Sequence, residues 1–283
     1  MNTTTAQKIY ADEKSLYSYR EQGFFLAKNL LPRQAVEACL AEIKRIFRQI
    51  YAAQNQQKSH GNDHRQIFEL MQEVLAKSQT QYMSAARQSA NLTSLLKLFL
   101  HEKITALLQE FGLEFLSCPT TPVIHIMANE LKIPGGYHGV APHQDWSSIQ
   151  GSLDSVVVWL PLTPVNSKRF TVDIIPGSHK RGLIQGEITN SAFEIPSHEF
   201  NEEDFIPLIA EPGDVVFFNA FVIHRSSKNG SGLRIACSTR FENLAEPTFI
   251  ERGYPCAYKR SVERQLIKPN FPILADVQKA LRF

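Results

Sequence analysis

In the stretch PHQDWSSIQGSLDSVVVW, Pro142 to Trp159, His143 and Asp145 stand two residues apart. Imidazole and carboxylate are both metal ligands, and residues i and i+2 of an extended chain point to the same side. The pair follows a Gly/Pro loop and precedes an apolar run, so both side chains are expected at a sheet edge facing one cavity. Alone, the motif means little. With 9 His and 28 acidic residues in 283, about one H-x-[DE] is expected by chance. Two downstream residues add weight. His224 closes the apolar run DVVFFNAFVIH, and Arg234 opens LRIACSTRF after a loop short enough for a hairpin. Two His and one carboxylate on one face of an octahedral ion leave the opposite face open, the ligand set of non-haem Fe(II) oxygenases. Arg234 would face the same cavity with a planar fork suited to a carboxylate. The same ligands would also serve a cupin-like Zn or Mn hydrolase or isomerase, or a catalytically silent metal-binding protein.

The elements that must position these residues follow from periodicity. Residues 1–112 read as mostly helical. In LLPRQAVEACLAEIKRIFRQI, Val36, Cys39, Leu40, Ile43 and Phe47 fall on one helix face, with Pro32 near its start. The stretch from Ile67 to Phe99 is helical in composition with no legible breaks, and EKITALLQEFG is a short helix ended by Gly112. From 113 to 245 the character changes to short β-rich runs between Pro/Gly turns: TPVIHIMAN, DSVVVWLPL, FTVDIIPGS, DVVFFNAFVI and LRIACSTRF. Such spacing predicts an all-β sandwich or barrel. No flexible linker separates the halves, so 1–283 reads as one domain: a helical buttress, a β core, and a covering segment over 246–283.

Composition narrows the partners. A hydrophobic fraction of 43% with 20% charged residues describes a soluble globular chain, and a net charge of +2 is too small to argue for nucleic acid or an anionic membrane. No apolar run reaches the roughly 18 residues needed to span a bilayer. The start MNTTTAQKIYADEKS lacks the apolar core of a signal peptide. Cys39, Cys118, Cys237 and Cys256 are scattered and form no C-x-x-C pair. A reduced, cytoplasmic protein acting on a small molecule is the expectation.

Three longer motifs, PGGYHGVAPHQDWS, IPGSHKRGL and PGDVVFFNAFVIHRSSKNGSGLRIACSTRF, carry a resemblance. From about Tyr19 to Phe241 the chain resembles the phytanoyl-CoA dioxygenase family of Fe(II)/2-oxoglutarate oxygenases. The resemblance implies a double-stranded β-helix, or jelly roll, with a helical buttress. It implies Fe(II) on His143, Asp145 and His224, 2-oxoglutarate as cosubstrate anchored by Arg234, and O2 as co-reactant. Ser226, Trp159 and Lys132 fall where the family lines the cosubstrate pocket. The implied outcome is C–H oxidation of a small metabolite, with succinate and CO2 as co-products. The chain departs from the family before IPGSH, where it has NSKRFTVD, which leaves the wall near Phe170 to be shaped differently.

Substrate selectivity is expected on the loops flanking H-x-D. The first is Ile133 to Pro142, carrying Tyr137 and His138 between glycines. The second is Trp146 to Asp154. A lid and a plain structural turn are equal readings of the first loop. Of the other histidines, His60, His64, His101 and His198 read as structural, His179 as fixing a turn, and His125 as open between strand and cavity.

Overall fold

Alternating apolar residues in the second half of the chain build two facing sheets. The structure, a computed structural model, describes residues 13–56, 66–133, 139–189, 193–227, 229–256 and 270–281. In the larger antiparallel sheet, β1 (Phe24–Ala27), β9 (Val215–Asn219), β4 (Val156–Pro161) and β11 (Arg234–Asn243) lie side by side. The far edge of β11 pairs with β3 (Val123–Met127) and β2 (Leu116–Ser117). Opposite lies a smaller sheet of β10 (His224–Ser226), β5 (Val172–Ile174) and β8 (Ile206–Pro207). Bridges from His143 to both His224 and Glu194 extend it towards the hairpin β6 (Glu187–Ile188) and β7 (Phe193–Glu194). Two facing antiparallel sheets are the expected jelly roll.

The strand VVVWLP reads as continuously apolar because both its faces are buried. Val157 and Trp159 of β4 pack inward with Val216 and Phe218 of β9, Val172 and Ile174 of β5, and Ala236 of β11. Val156, Val158 and Leu160 point outward, with Val215, Phe217, Ile235 and Cys237, into a cluster completed by the helices. Those helices are α1 (Glu13–Gln22), α2 (Arg33–Gln54), α3 (Ile67–Lys77), α4 (Gln79–Ser89), α5 (Thr93–Phe99) and α6 (Glu102–Glu110). Val36, Cys39, Ile43 and Phe47 of α2 are fully buried, the face that periodicity predicts, with Pro32 as its N-cap. Ser78 sets the break the sequence left unplaced: it ends α3, and its hydroxyl accepts the Gln81 N–H at the start of α4. The N-terminal part also contributes a strand. β1 joins the large sheet beside β9, held there by apolar Phe24 and Leu26 on one face and Phe25 on the other.

Two local expectations are corrected. His224 and Arg234 do not form a hairpin. The Asn219 side chain accepts the Phe221 N–H (2.9 Å) and turns the chain out of β9, so that β10 crosses to the smaller sheet while β11 returns to the larger one. His143 and Asp145 do not share an extended segment either. Asp145 is in the right-handed helical region and opens a one-turn helix, α7 (Trp146–Ile149).

His179 lies in a 3-10 turn, and its Nε2 donates to the Arg20 carbonyl of α1 (2.9 Å), tying the N-terminal helix to the β core. His101 caps α6 by accepting the Lys103 N–H. All four cysteines are free. In the C-terminal segment, α8 (Pro247–Glu251) precedes α9 (Leu274–Leu281), which buries Val277 with Phe271 against Trp146, Leu153 and Phe221. No helix among the described residues is long and apolar enough to cross a membrane.

Candidate metal centre

His143, Asp145 and His224 converge between the sheets, each less than a tenth exposed. The backbone brings them there: His143 and His224 exchange both N–H···O bonds (3.0 and 3.1 Å), which sets their rings 4.1 Å apart. Each imidazole is oriented from behind. Nδ1 of His143 donates to the Ala141 carbonyl (2.8 Å), and Nδ1 of His224 to the Val222 carbonyl (3.0 Å). Both Nε2 atoms therefore present lone pairs inward, the tautomer that metal-ligating histidines adopt. Asp145 Oδ1 lies 3.4 Å from Nε2 of His143 and 3.9 Å from Nε2 of His224.

The protonation states suit a cation. Burial, then the neighbouring His143, pushes the His224 imidazolium down to about 3, so the ring is neutral at physiological pH. Burial pulls the Asp145 carboxyl upward, but the Arg240 guanidinium, His143 and His224 outweigh it and hold Asp145 well below the usual carboxylate range. A carboxylate and a neutral imidazole are the deprotonated forms that ligate a divalent ion. Among the described residues, no other set of three His, Cys, Asp or Glu groups is placed to hold a metal.

The surrounding cavity has an apolar wall of Val140, Val157, Trp159, Val172 and Phe218. Ser226 and Arg234 line it, and Arg234 is 1% exposed. Its Nη1 donates to the Phe170 and Thr171 carbonyls (3.3 and 3.1 Å), and its Nη2 contacts the Met127 sulfur. The departure at NSKRF is thus accommodated: Phe170 is buried and supplies a carbonyl that steadies Arg234. Gly139 (φ +95°) lets the loop approach Ser226, since a Cβ there would come within 2.9 Å of the serine Cβ. Trp159 is buried in this wall, and its indole N–H has no hydrogen-bond partner among the described residues. Such an orphan donor costs roughly 1–3 kcal/mol and marks where an acceptor from a ligand fits.

Other expected site residues lie elsewhere. Lys132 is exposed at the end of a 3-10 turn and does not line the cavity. Trp146 points away into its own apolar cluster, with its N–H donated to the Ser152 carbonyl. The rest of Trp146–Asp154 is likewise absent from the cavity wall, because apolar Ile149 and Leu153 are drawn into the interior. Tyr137 and His138 lie outside the described residues.

Two site residues escaped the sequence reading. His125, left open there, lines the cavity from β3, with Nε2 2.9 Å from Ser238 Oγ. Burial, then Arg234 and Arg240, pushes its pKa well below the ordinary value, so it is neutral. Arg240 was not singled out. It sits six residues beyond Arg234 on β11 and therefore on the same strand face, a period-two signal the sequence does contain. Its Nε and Nη2 both donate to Asp145 Oδ2 (3.0 and 2.7 Å).

Comparison with known proteins gives the lineage. A model of the phytanoyl-CoA dioxygenase (PhyH) family matches residues 19–236, more than half of the chain. The chain belongs to the phytanoyl-CoA dioxygenase family. It is 32% identical over 126 residues to a 1-deoxypentalenic acid 11-beta-hydroxylase of Streptomyces exfoliatus, covering 40% of this chain and 42% of that protein. It is 35% identical over 103 residues to phytanoyl-CoA dioxygenase 1 of Oryza sativa subsp. japonica, covering 35% and 36%. The chain thus spans less than half the length of the curated relatives it matches. Among solved structures, the fold resembles the epimerase SnoN in complex with Fe3+, alpha ketoglutarate and nogalamycin RO (TM-score 0.55, 18% identity, 82% of this chain and 83% of that one). It also resembles EctD from S. alaskensis with 2-oxoglutarate and 5-hydroxyectoine (TM-score 0.56, 12% identity, 85% and 79%). At these identities the structural likeness speaks for the fold, the double-stranded β-helix of this family.

Proposed function

We propose that this PhyH-family chain is an Fe(II)- and 2-oxoglutarate-dependent dioxygenase that hydroxylates an unactivated C–H bond of a small organic molecule, or oxidises it in another way. One observation carries the reading. One ligand atom from each of the three residues lies within 4.8 Å of the others, while the remaining ring nitrogens and the second Asp145 oxygen are already engaged by the protein. Nε2 of His143, Oδ1 of Asp145 and Nε2 of His224 would hold the iron on one face. Bound there with 2-oxoglutarate and O2, it supplies oxidative decarboxylation to succinate and CO2 coupled to C–H oxidation.

The chain's own residues bind, orient and exclude water. Arg234 pairs with the distal carboxylate of 2-oxoglutarate, a buried charge-assisted contact. Ser226 and the Trp159 N–H add neutral donors beside it, which would engage the orphaned indole. The apolar wall keeps water from the reacting centre. A small-molecule hydroxylation matches the activity in the name of the Streptomyces relative. The test is a metabolite panel incubated in air with Fe(II) and 2-oxoglutarate and scored by succinate release above the uncoupled background. The expected result is substrate-stimulated succinate in the parent, abolished in His143→Ala and His224→Ala. Full succinate release by His224→Ala would remove His224 from the metal site, and product formation without O2 would exclude the proposal in favour of a hydrolase or isomerase.

A further inference from the structure

The Asp145 carboxylate divides its two oxygens between two tasks. Oδ1 faces the two imidazole Nε2 atoms at 3.4 and 3.9 Å. Oδ2 receives both Nε and Nη2 of Arg240, at 3.0 and 2.7 Å. The guanidinium is steadied in turn, since its Nη1 donates to Ser238 Oγ (3.2 Å), which sits 2.9 Å from Nε2 of His125. Arg240 and Ser238 alternate on one face of β11, and His125 reaches them from β3 next door. The Arg240 side chain is only 12% exposed, so solvent does not loosen this chain of contacts.

We infer that Arg240 is a positioning residue that holds the Asp145 carboxylate with Oδ1 turned towards the metal. The inference rests on the metal reading proposed above. A carboxylate free to rotate turns Oδ1 away from the two imidazoles for part of the time, and the ordering it then needs would weaken its hold on an ion. Two N–H groups converging on Oδ2 oppose that rotation.

A purely electrostatic role predicts the opposite sign. A cation beside a metal site repels a divalent ion, so deleting a mere charge tightens metal binding, whereas deleting an orienting partner weakens it, typically 10–100-fold. The experiment is calorimetric titration of the metal-free protein with Mn(II). The parent, Arg240→Gln, Arg240→Lys, Ser238→Ala and His224→Ala are compared, with a melting curve for each. Arg240→Gln is expected to weaken Mn(II) binding by about 10-fold or more. Arg240→Lys, which keeps the charge but not the paired donors, should weaken it comparably, and Ser238→Ala to a smaller degree. Unchanged or tighter binding in Arg240→Gln overturns the inference, as does parental binding in Arg240→Lys. Should Arg240→Gln fail to fold, Ser238→Ala decides: weakened binding supports the inference and parental binding overturns it. Parental Mn(II) binding in His224→Ala identifies a different failure, that of the metal reading itself, and the inference falls with it.

Discussion

Arg234 is a long charged side chain with almost no exposure, set among the Phe170 and Thr171 carbonyls and the Met127 sulfur. Its planar fork in the cavity suits one carboxylate of the proposed dicarboxylic cosubstrate. Arg234→Met is therefore expected to raise the apparent 2-oxoglutarate constant by at least ~10-fold, equivalent to ~1.4 kcal/mol, through the carboxylate left buried and unpaired. Arg234→Lys should recover part of this, because an ammonium restores the charge but not the planar fork. The measurement is succinate release against 2-oxoglutarate concentration at saturating Fe(II). An unchanged constant in Arg234→Met removes this residue from the cosubstrate site.

β11 joins three tasks along ten residues. Arg234 is the proposed cosubstrate anchor, Arg240 meets Asp145, and Glu242, at the far end, anchors the turn after α7. Glu242 Oε2 accepts the Ser152 N–H (2.6 Å) and the Ser152 hydroxyl (2.9 Å), and Gly151 gives it room, since a Cβ there would sit 2.2 Å from the carboxylate. Burial pushes Glu242 up to about 7 and its neighbour Asp154 up to about 6, so both hold protons in the fold that the unfolded chain has released. For carboxyls raised on folding, the stabilisation is complete below the unfolded pKa and is lost as pH climbs through the folded one. For Glu242 the loss is on the order of 3 kcal/mol between about pH 4.5 and 7, at ~1.4 kcal/mol per pKa unit. The buried neutral rings of His125 and His224 work in the opposite direction as pH rises towards about 6.5, so the Glu242 contribution is read as a difference. As pH rises from about 5 to 8, the urea midpoint of the parent should fall relative to that of Glu242→Gln, which is neutral throughout. Equal slopes in parent and variant would dismiss the Glu242 contribution.

Across the whole molecule, what the sequence reveals is what local patterns encode. The buried face of α2 follows from its 3.6 period, and both faces of β4 from an unbroken apolar run. His143, Asp145, His224 and Arg234 are legible because they sit within extended motifs whose order is itself informative. What escapes depends on partners distant in the chain. That β10 belongs to the opposite sheet from β11 follows from its pairing with β5, some 50 residues upstream, which no local spacing reports. Trp146 has an aromatic's aptitude for stacking on substrate, yet Phe221 and Phe271 claim it for the interior. Arg240 looks like an ordinary strand-end cation until Asp145, 95 residues earlier, is seen against it. All these placements meet in one claim, that the two sheets close around an iron and a 2-oxo acid. Anaerobic addition of 2-oxoglutarate to the Fe(II)-loaded protein tests it most directly, because chelation of the iron by the 2-oxo acid gives a weak visible charge-transfer band. The parent should develop that band with saturable 2-oxoglutarate dependence, and His224→Ala should develop none. A parent with no band, or a His224→Ala variant with the full one, would contradict the account.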